Sequence, residues 1–360
     1  MGCKMSLEKL KHRSWILAKK ICAAPLKKRS LFYETYKIIR GMIEYKKLRK
    51  KVGKNAHVIF FRGATGDTYI QFLLLDSYLK EKQITNYVLA GDSAGLLPLS
   101  RVFCCSNVMT VPFLEYIEKA YLFIDGEGMN VIFPFCWADN FHINKCRIRM
   151  TEAFDFMDTY KYFSFQMNTK NIVYRQPVFR KVDENLIFSW EKQGIIKDKT
   201  VLIAPDANSV TGLPIWFWNG IIKELQKLGY TVFLNCSYFT FFRASNLFTT
   251  YDSCVPMLEY AGNFIGVRSG FCDIISSAKC NKVILYPKIQ KNIDYGKHRS
   301  EIEFSGLEVM RLYNGEDLHE ISTPLLRNIT DKNYVLSGTD DYFSEIEQLR
   351  KQILNNFKEV

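Results

Sequence analysis

The sequence predicts an α/β protein of two Rossmann-like domains facing a central cleft, with a basic helical extension at the N-terminus. Three observations carry this. The 360 residues exceed one typical core and suit two α/β domains of about 150 residues each. Short apolar strand-like runs alternate with helical stretches, in two separate registers. The positive charge is concentrated at one end: residues 1–54 carry seventeen Lys and Arg against three Glu, a surplus of +14, whereas the whole chain carries +12. The rest of the chain is therefore slightly acidic, and with 48% hydrophobic and 14% aromatic residues it has ample material for packed cores.

A basic surplus confined to one terminal segment points to a docking arm. A nucleic-acid groove would spread Lys and Arg over the folded body, so no nucleic-acid partner is expected. Leu7, Leu10, Leu17 and Ile21 recur at helical spacing, with Lys4, Lys9, Lys11, Arg13, Lys19 and Lys20 largely off that stripe, giving a basic amphipathic helix suited to an anionic membrane surface. Each such cation contributes about 1 kcal/mol near anionic lipid, so membrane contact through residues 1–50 is expected. The alternative is a helical hairpin packed on its own domain, with Phe32, Ile38, Ile39, Met42 and Ile43 as its buried stripe. No apolar run near the N-terminus is long enough for a signal or a membrane span. The ten cysteines are scattered without CxxC spacing and read as reduced thiols. The expected location is cytoplasmic and peripheral, on the inner face of the plasma membrane.

After the arm, HVIFF at 57–61 reads as a buried strand, RGATGDT as a turn and YIQFLLLDSYLKEK as a helix, a first βα unit. NYVLAGDSAGLLPLSRVF repeats the scheme with a strand at 86–90. Residues 171–200 read as a crossing linker with a short helix around 183–193. A second register then opens with strands at 201–205, 230–236, 263–267 and 282–287 and helices at 215–229 and 255–262. A charged amphipathic helix at 344–359 closes the chain and suits packing across both domains. The domains are thus a basic arm (1–54), an N-terminal Rossmann-like domain (55–180), a C-terminal Rossmann-like domain (181–335) and a C-terminal helix (336–360).

Two turns can carry chemistry. RGATGDT places Gly63 and Gly66 between strand and helix, with Asp67 and Thr68 at the mouth of the crevice where strands end. Asp67 can act as general base on an acceptor hydroxyl or cap the helix; the loop lacks the ending of a Walker A and the spacing of a dinucleotide fingerprint. In NFIGVRSGFCDIISSAKCNKVILYP, Arg268, Ser269 and Gly270 form a turn into a helix with Asp273 one turn inside. Backbone donors, a hydroxyl and a guanidinium together suit a diphosphate. Trp216 and Trp218 read as core, with one of them open to a base-stacking role.

The pairing of strand–GD–helix with strand–SG–helix–strand–P resembles the heptosyltransferase-type glycosyltransferases of lipopolysaccharide assembly. The resemblance spans roughly residues 57–290 and implies a GT-B fold and an inverting, metal-independent transfer from a nucleotide sugar, a co-substrate rather than a bound cofactor. It makes Asp67, beside Gly66, the base. It places the donor phosphates at Arg268, Ser269, Gly270 and Asp273, which match the family's D-[ST]-G-x-x-H turn with Arg in place of the acidic residue and Asp in place of His. Asn208 and Ser209 fall in a loop similar to the family's P-G-A loop, without its Lys, and are expected to hydrogen-bond the donor. Glu259 is expected to accept from a ribose hydroxyl. The implied partners are a nucleotide-sugar donor and a glycan or lipid-linked acceptor of the lipopolysaccharide or capsule type, which the loop with Asp92 and Ser93 would touch.

Two other functions remain open. AGDSAGL at 90–96 satisfies G-x-S-x-G, the elbow of an α/β-hydrolase-type esterase with Ser93 as nucleophile. No HGGG loop precedes it, and its partner histidine would have to be His142, His298 or His319. A non-catalytic protein keeping the fold is the other.

Overall fold

The computed structural model describes residues 31–61, 65–92, 95–124, 131–132, 159–168, 171–205, 207, 213, 215–236, 242–286, 332–335 and 342–358. In chain order the first unit holds α1 (Leu31–Val52), β1 (His57–Phe61), α2 (Thr65–Glu81), β2 (Tyr87–Gly91), α3 (Leu96–Val102), β3 (Val108–Thr110), α4 (Leu114–Ile124), β4 (Val131–Ile132) and a π-helical turn at Thr159–Ser164. The second holds α5 (Glu184–Lys192), β5 (Thr200–Ala204), α6 (Ile215–Lys227), β6 (Thr231–Leu234), β7 (Ser245–Asn246), α7 (Tyr251–Ala261), β8 (Gly262–Val267), α8 (Gly270–Ile274), β9 (Asn281–Tyr286), β10 (Lys332–Val335) and α9 (Tyr342–Asn355).

The strands form two parallel sheets, ordered β3-β2-β1-β4 and β10-β9-β8-β5-β6-β7. Parallel strands are covered on both faces, which is why HVIFF and TVLIA read as unbroken apolar runs. Their alternate residues face different layers. Val58 and Phe60 enter an outer core with α1 and α4, and Val201 and Ile203 enter a second outer core with α6 and α9. Ile59, Phe61, Leu202, Ala204 and Phe264 enter one central core that both sheets share with α2, α3 and α7. Helix α2 lies in the middle of it, buried from Thr68 to Leu75, and this explains a helix that is apolar on every side. The parallel α/β fold in two units is therefore as the sequence predicts.

Two expectations are corrected, and a third falls outside the described residues. Residues 31–52 belong to the first unit's outer layer: α1 crosses α4 so closely that a Cβ on Gly41 would overlap the Tyr116 carbonyl and lie 2.9 Å from Ala120 Cβ. The helix packs on its own unit, as the alternative expected, but its buried face is set by that backbone approach and holds Lys37, Gly41, Glu44, Tyr45 and Leu48. Of the expected stripe, Ile38 and Met42 pack half-buried against this core, while Ile39 and Ile43 are 53% and 42% exposed. Lys37 tolerates burial through Glu115 at 3.4 Å and the Tyr116 ring, and Glu44 through Arg40 and Lys47 at 2.9 and 3.0 Å. Leu7, Leu10, Leu17, Ile21 and the other residues of the expected membrane helix lie outside the described residues. Finally, the described side chains of the C-terminal segment, Leu349, Ile353, Leu354 and Phe357, all pack in the second unit's outer core rather than across both units.

The linker runs without helix or strand from 171 to 183 and ties the units together. Ser77 Oγ and the Val173 backbone exchange two hydrogen bonds of 2.8 Å. Arg175 N donates to Leu73 O, Val178 N to Val102 O and Arg180 N to Asp252 O. Asp183 then caps α5 by accepting from Leu186 N at 2.8 Å. Among the described residues no helix is long and apolar enough to cross a membrane.

Candidate functional site

β1 delivers the chain to the carboxyl edge of the first sheet, and α2 starts there at Thr65. Asp67 is inside the first turn rather than preceding it, so it stands at the positive end of the helix without being its N-cap. Its Oδ1 accepts a short hydrogen bond from the Tyr160 hydroxyl on the π-helical turn. Thr68 is buried beneath, and Thr65 Oγ1 lies 3.3 Å from the hydroxyl of Tyr251, which opens α7.

β8 delivers Arg268 and Ser269 to the same edge of the second sheet. Arg268 N is held by Leu285 O at 2.8 Å, and Ser269 takes the extended conformation that opens α8, with no side-chain cap bond. The guanidinium of Arg268 donates to Asp273 Oδ1 at 2.6 Å and to its neighbour's carbonyl, Ser269 O. Asp273 is buried and is stabilised there by this charge-assisted pairing. The two residues that differ from the resembled D-[ST]-G-x-x-H turn are thus bonded to each other.

The two turns, some two hundred residues apart in the sequence, meet in direct contact. A Cβ on Gly270 would overlap Gly66 N and lie 3.0 Å from Gly66 Cα, while one on Gly66 would lie 2.5 Å from Asp273 Oδ2 and 2.9 Å from Gly270 Cα. Only glycine at both positions allows this approach. Behind the contact, Tyr69 is wholly buried with its hydroxyl lacking a hydrogen-bond partner, and burial followed by the negative charge of Asp273 pushes its pKa well above the ordinary value.

The other sequence candidates divide. Asp92 closes the turn after β2 by accepting from Gly95 N at 2.9 Å, and Gly95 borders Thr68, so this loop adjoins the α2 end. Gly63, Ser93, Asn208 and Ser209 lie outside the described residues. Glu259 is not at the crevice: it sits near the C-terminus of α7, at the amino edge of the sheet, where Oε1 accepts from Lys279 N at 2.9 Å. The expected ribose contact is corrected accordingly, because a helix feeding β8 ends where the strand begins and Arg268 follows the far end, roughly 17 Å along the strand. Trp218 is core and Trp216, on the α6 end nearest the crevice edge, is 41% exposed. Tyr160 and Tyr251 escaped sequence reasoning, since neither lies in a motif.

His57, the one described histidine, is at the amino end of β1 bonded to the Tyr78 hydroxyl at 3.0 Å. Burial and then the nearby Arg49 charge lower its pKa to about 4, as befits a structural neutral imidazole. The histidines considered for an esterase, His142, His298 and His319, lie outside the described residues. Among the described residues no three His, Cys, Asp or Glu side chains gather into a metal-binding group.

No protein-family model matches this chain, and no curated protein matches it in sequence. Among solved structures it is similar to the ADP-heptose lipopolysaccharide heptosyltransferase II of E. coli, at 12% identity and a TM-score of 0.49, over 84% of this chain and 98% of that one. It is similar to a glycosyl transferase of family 9 from Veillonella parvula at 10% identity and 0.49, over 83% and 94%. It is also similar to the iron-containing dodecameric glycosyltransferase TibC of enterotoxigenic E. coli, at 12% and 0.45, over 84% and 78%.

Proposed function

We propose that this chain is a glycosyltransferase moving a sugar from a nucleotide-sugar donor to a glycan or lipid-linked acceptor at the bacterial-type cell surface, with inversion and without a metal ion. One observation carries the reading: the Asp67 turn and the Arg268-Ser269-Gly270 turn converge at Gly66 and Gly270. A general base thereby stands next to a cationic, hydroxyl-bearing turn at the carboxyl edges of two parallel sheets, where α/β proteins bind their ligands. Asp67 takes the proton of the acceptor hydroxyl while the oxygen attacks the anomeric carbon. The bond from that carbon to the diphosphate oxygen breaks on the opposite face, and its electron pair leaves with the diphosphate. The contact leaves no gap between the glycines, so the diphosphate lies on the solvent side of Ser269. There the guanidinium, aimed by Asp273, supplies donors to the developing charge.

The acceptor and the membrane surface go together in this proposal. Tyr36, Ile39 and Ile43 are exposed on α1, whose last turn carries Arg49, Lys50 and Lys51, and the basic segment before it continues the surplus. Such a face suits the inner leaflet of a plasma membrane, where a lipid-linked acceptor is presented.

The test is a thermal-shift screen with UDP, GDP, ADP, CMP and dTDP added separately. A ligand at a hundred times its Kd stabilises the native state by about 2.7 kcal/mol. One nucleotide should raise the melting temperature in the wild type and fail to do so in Arg268→Ala. No response to any of them would overturn the proposal.

A further inference from the structure

We infer that Tyr160 is the positioning residue for the Asp67 carboxylate, a reading that rests on the role proposed for Asp67 above. The phenol is 2% exposed, its ring lies in the central core, and its hydroxyl donates to Asp67 Oδ1 across 93 positions of sequence. Tyr160 belongs to a π-helical turn, closed by Phe165 N donating to Tyr160 O at 2.9 Å; such turns are rare and concentrate at functional sites. The segment is strapped along α2 from end to end. Tyr160 holds its first turn. At its other end Phe165 packs on Tyr78 at 5.1 Å, Lys82 Nζ donates to Gln166 O at 2.8 Å, and Glu81 accepts from Asn168 N at 3.0 Å. The hydroxyl is therefore presented by a fixed scaffold rather than by a loose side chain.

A hydrogen bond donated to one carboxylate oxygen does two things for a base. It fixes the plane of the carboxylate, so that the group meets an acceptor hydroxyl in one geometry, and it favours the ionised form, ready to receive a proton. Among the described residues, the charged groups on the turns packed here include the Arg268–Asp273 pair across the Gly66 contact, whose charges oppose each other, and Lys161 next to Tyr160 on the turn. The titratable hydroxyls of Tyr69 and Tyr251 lie on α2 and at the start of α7. Tyr160 keeps its own proton throughout and is not itself the base.

The experiment uses the full chain labelled with carbon-13 at aspartate carboxyls and at tyrosine Cζ, with Asp67 assigned by loss of its signal in Asp67→Asn. Tyr160→Phe keeps the ring and removes the donor. The Asp67 titration midpoint should rise by about one pH unit in Tyr160→Phe, a tenfold gain in proton affinity, with the melting temperature within a few degrees of wild type. In the wild-type protein, which needs no substitution to fold, the Tyr160 signal should shift with the Asp67 midpoint. An unchanged Asp67 midpoint in Tyr160→Phe, or a Tyr160 signal blind to Asp67, would overturn the inference while leaving nucleotide-sugar turnover untouched. Intact coupling with no Asp67-dependent turnover of UDP-, GDP-, ADP-, CMP- or dTDP-linked sugars would overturn the transferase reading and, with it, the positioning role.

Discussion

Replacing Gly270 by Ala adds one methyl group at the point where the two units touch. The new Cβ would overlap Gly66 N and lie 3.0 Å from Gly66 Cα and 3.3 Å from the Thr65 carbonyl carbon. All three are backbone atoms, so no side chain can rotate away, and carbon contacts of ordinary length, about 3.5–4.0 Å, require α8 and α2 to part by roughly 1 Å. Overpacking of a core costs about 1–3 kcal/mol, and backbone pressed on backbone puts this substitution near 3. With a shift of about 2–4 °C per kcal/mol for domains of this size, the melting temperature should fall by roughly 6–12 °C, and the response to the donor nucleotide should vanish. Gly229→Ala is the control: its φ is +84° with nothing within 4 Å of the added carbon, so it carries only the left-handed strain of about 1–2 kcal/mol and spares the site. Differential scanning calorimetry of both variants decides. A Gly270→Ala protein that melts with the wild type, or above Gly229→Ala, would refute the interlock.

Three further outcomes are expected. Arg268→Ala should cost about 3 kcal/mol by leaving the Asp273 carboxylate buried without its partner, and Arg268→Ala/Asp273→Ala should cost less than the sum of the single changes; additivity in urea denaturation would contradict the pairing. His57 is held neutral by a pKa lowered to about 4, against an ordinary value of 6.5. The unfolded chain therefore binds the proton first, and stability should fall as pH drops from 6.5 towards 4. Since the ring is only partly buried, the loss is about 1–2 kcal/mol, and His57→Phe should flatten that limb of the stability profile. The chain should sediment with vesicles rich in phosphatidylglycerol and come off at about 0.5 M salt, and deletion of residues 1–28 should weaken this binding; undiminished binding by the deleted form would sink the membrane proposal.

The strands and the helices behind them are legible in the sequence because parallel strands covered on both faces leave unbroken apolar runs, and glycines mark the turns after them. HVIFF and GNFIGV are found within a residue of their expected places. Which face of α1 is buried was not legible, because Gly41 sets it by letting two backbones touch, while Lys37 and Glu44 are buried through partners that periodicity does not see. Glu259 shows a different failure: its proximity to Arg268 in sequence is undone by a whole strand running between them. The pairing of Arg268 with Asp273 follows from a helix only five residues long, and the sequence does not show that the cation read as a phosphate ligand is also held by a carboxylate of its own turn. Tyr160 reaches Asp67 from a stretch with no apolar period, so only the folded chain brings the two together.

The most direct test of the account is turnover of nucleotide sugars. The purified chain is incubated with UDP-, GDP-, ADP-, CMP- and dTDP-linked sugars in turn, with and without a lipid extract as acceptor, and free nucleotide is measured for the wild type and for Asp67→Asn. The account predicts release from one class of donor, stimulated by acceptor and slowed about a hundredfold or more by Asp67→Asn. Release from none of the donors, or equal release by the two proteins, would contradict it.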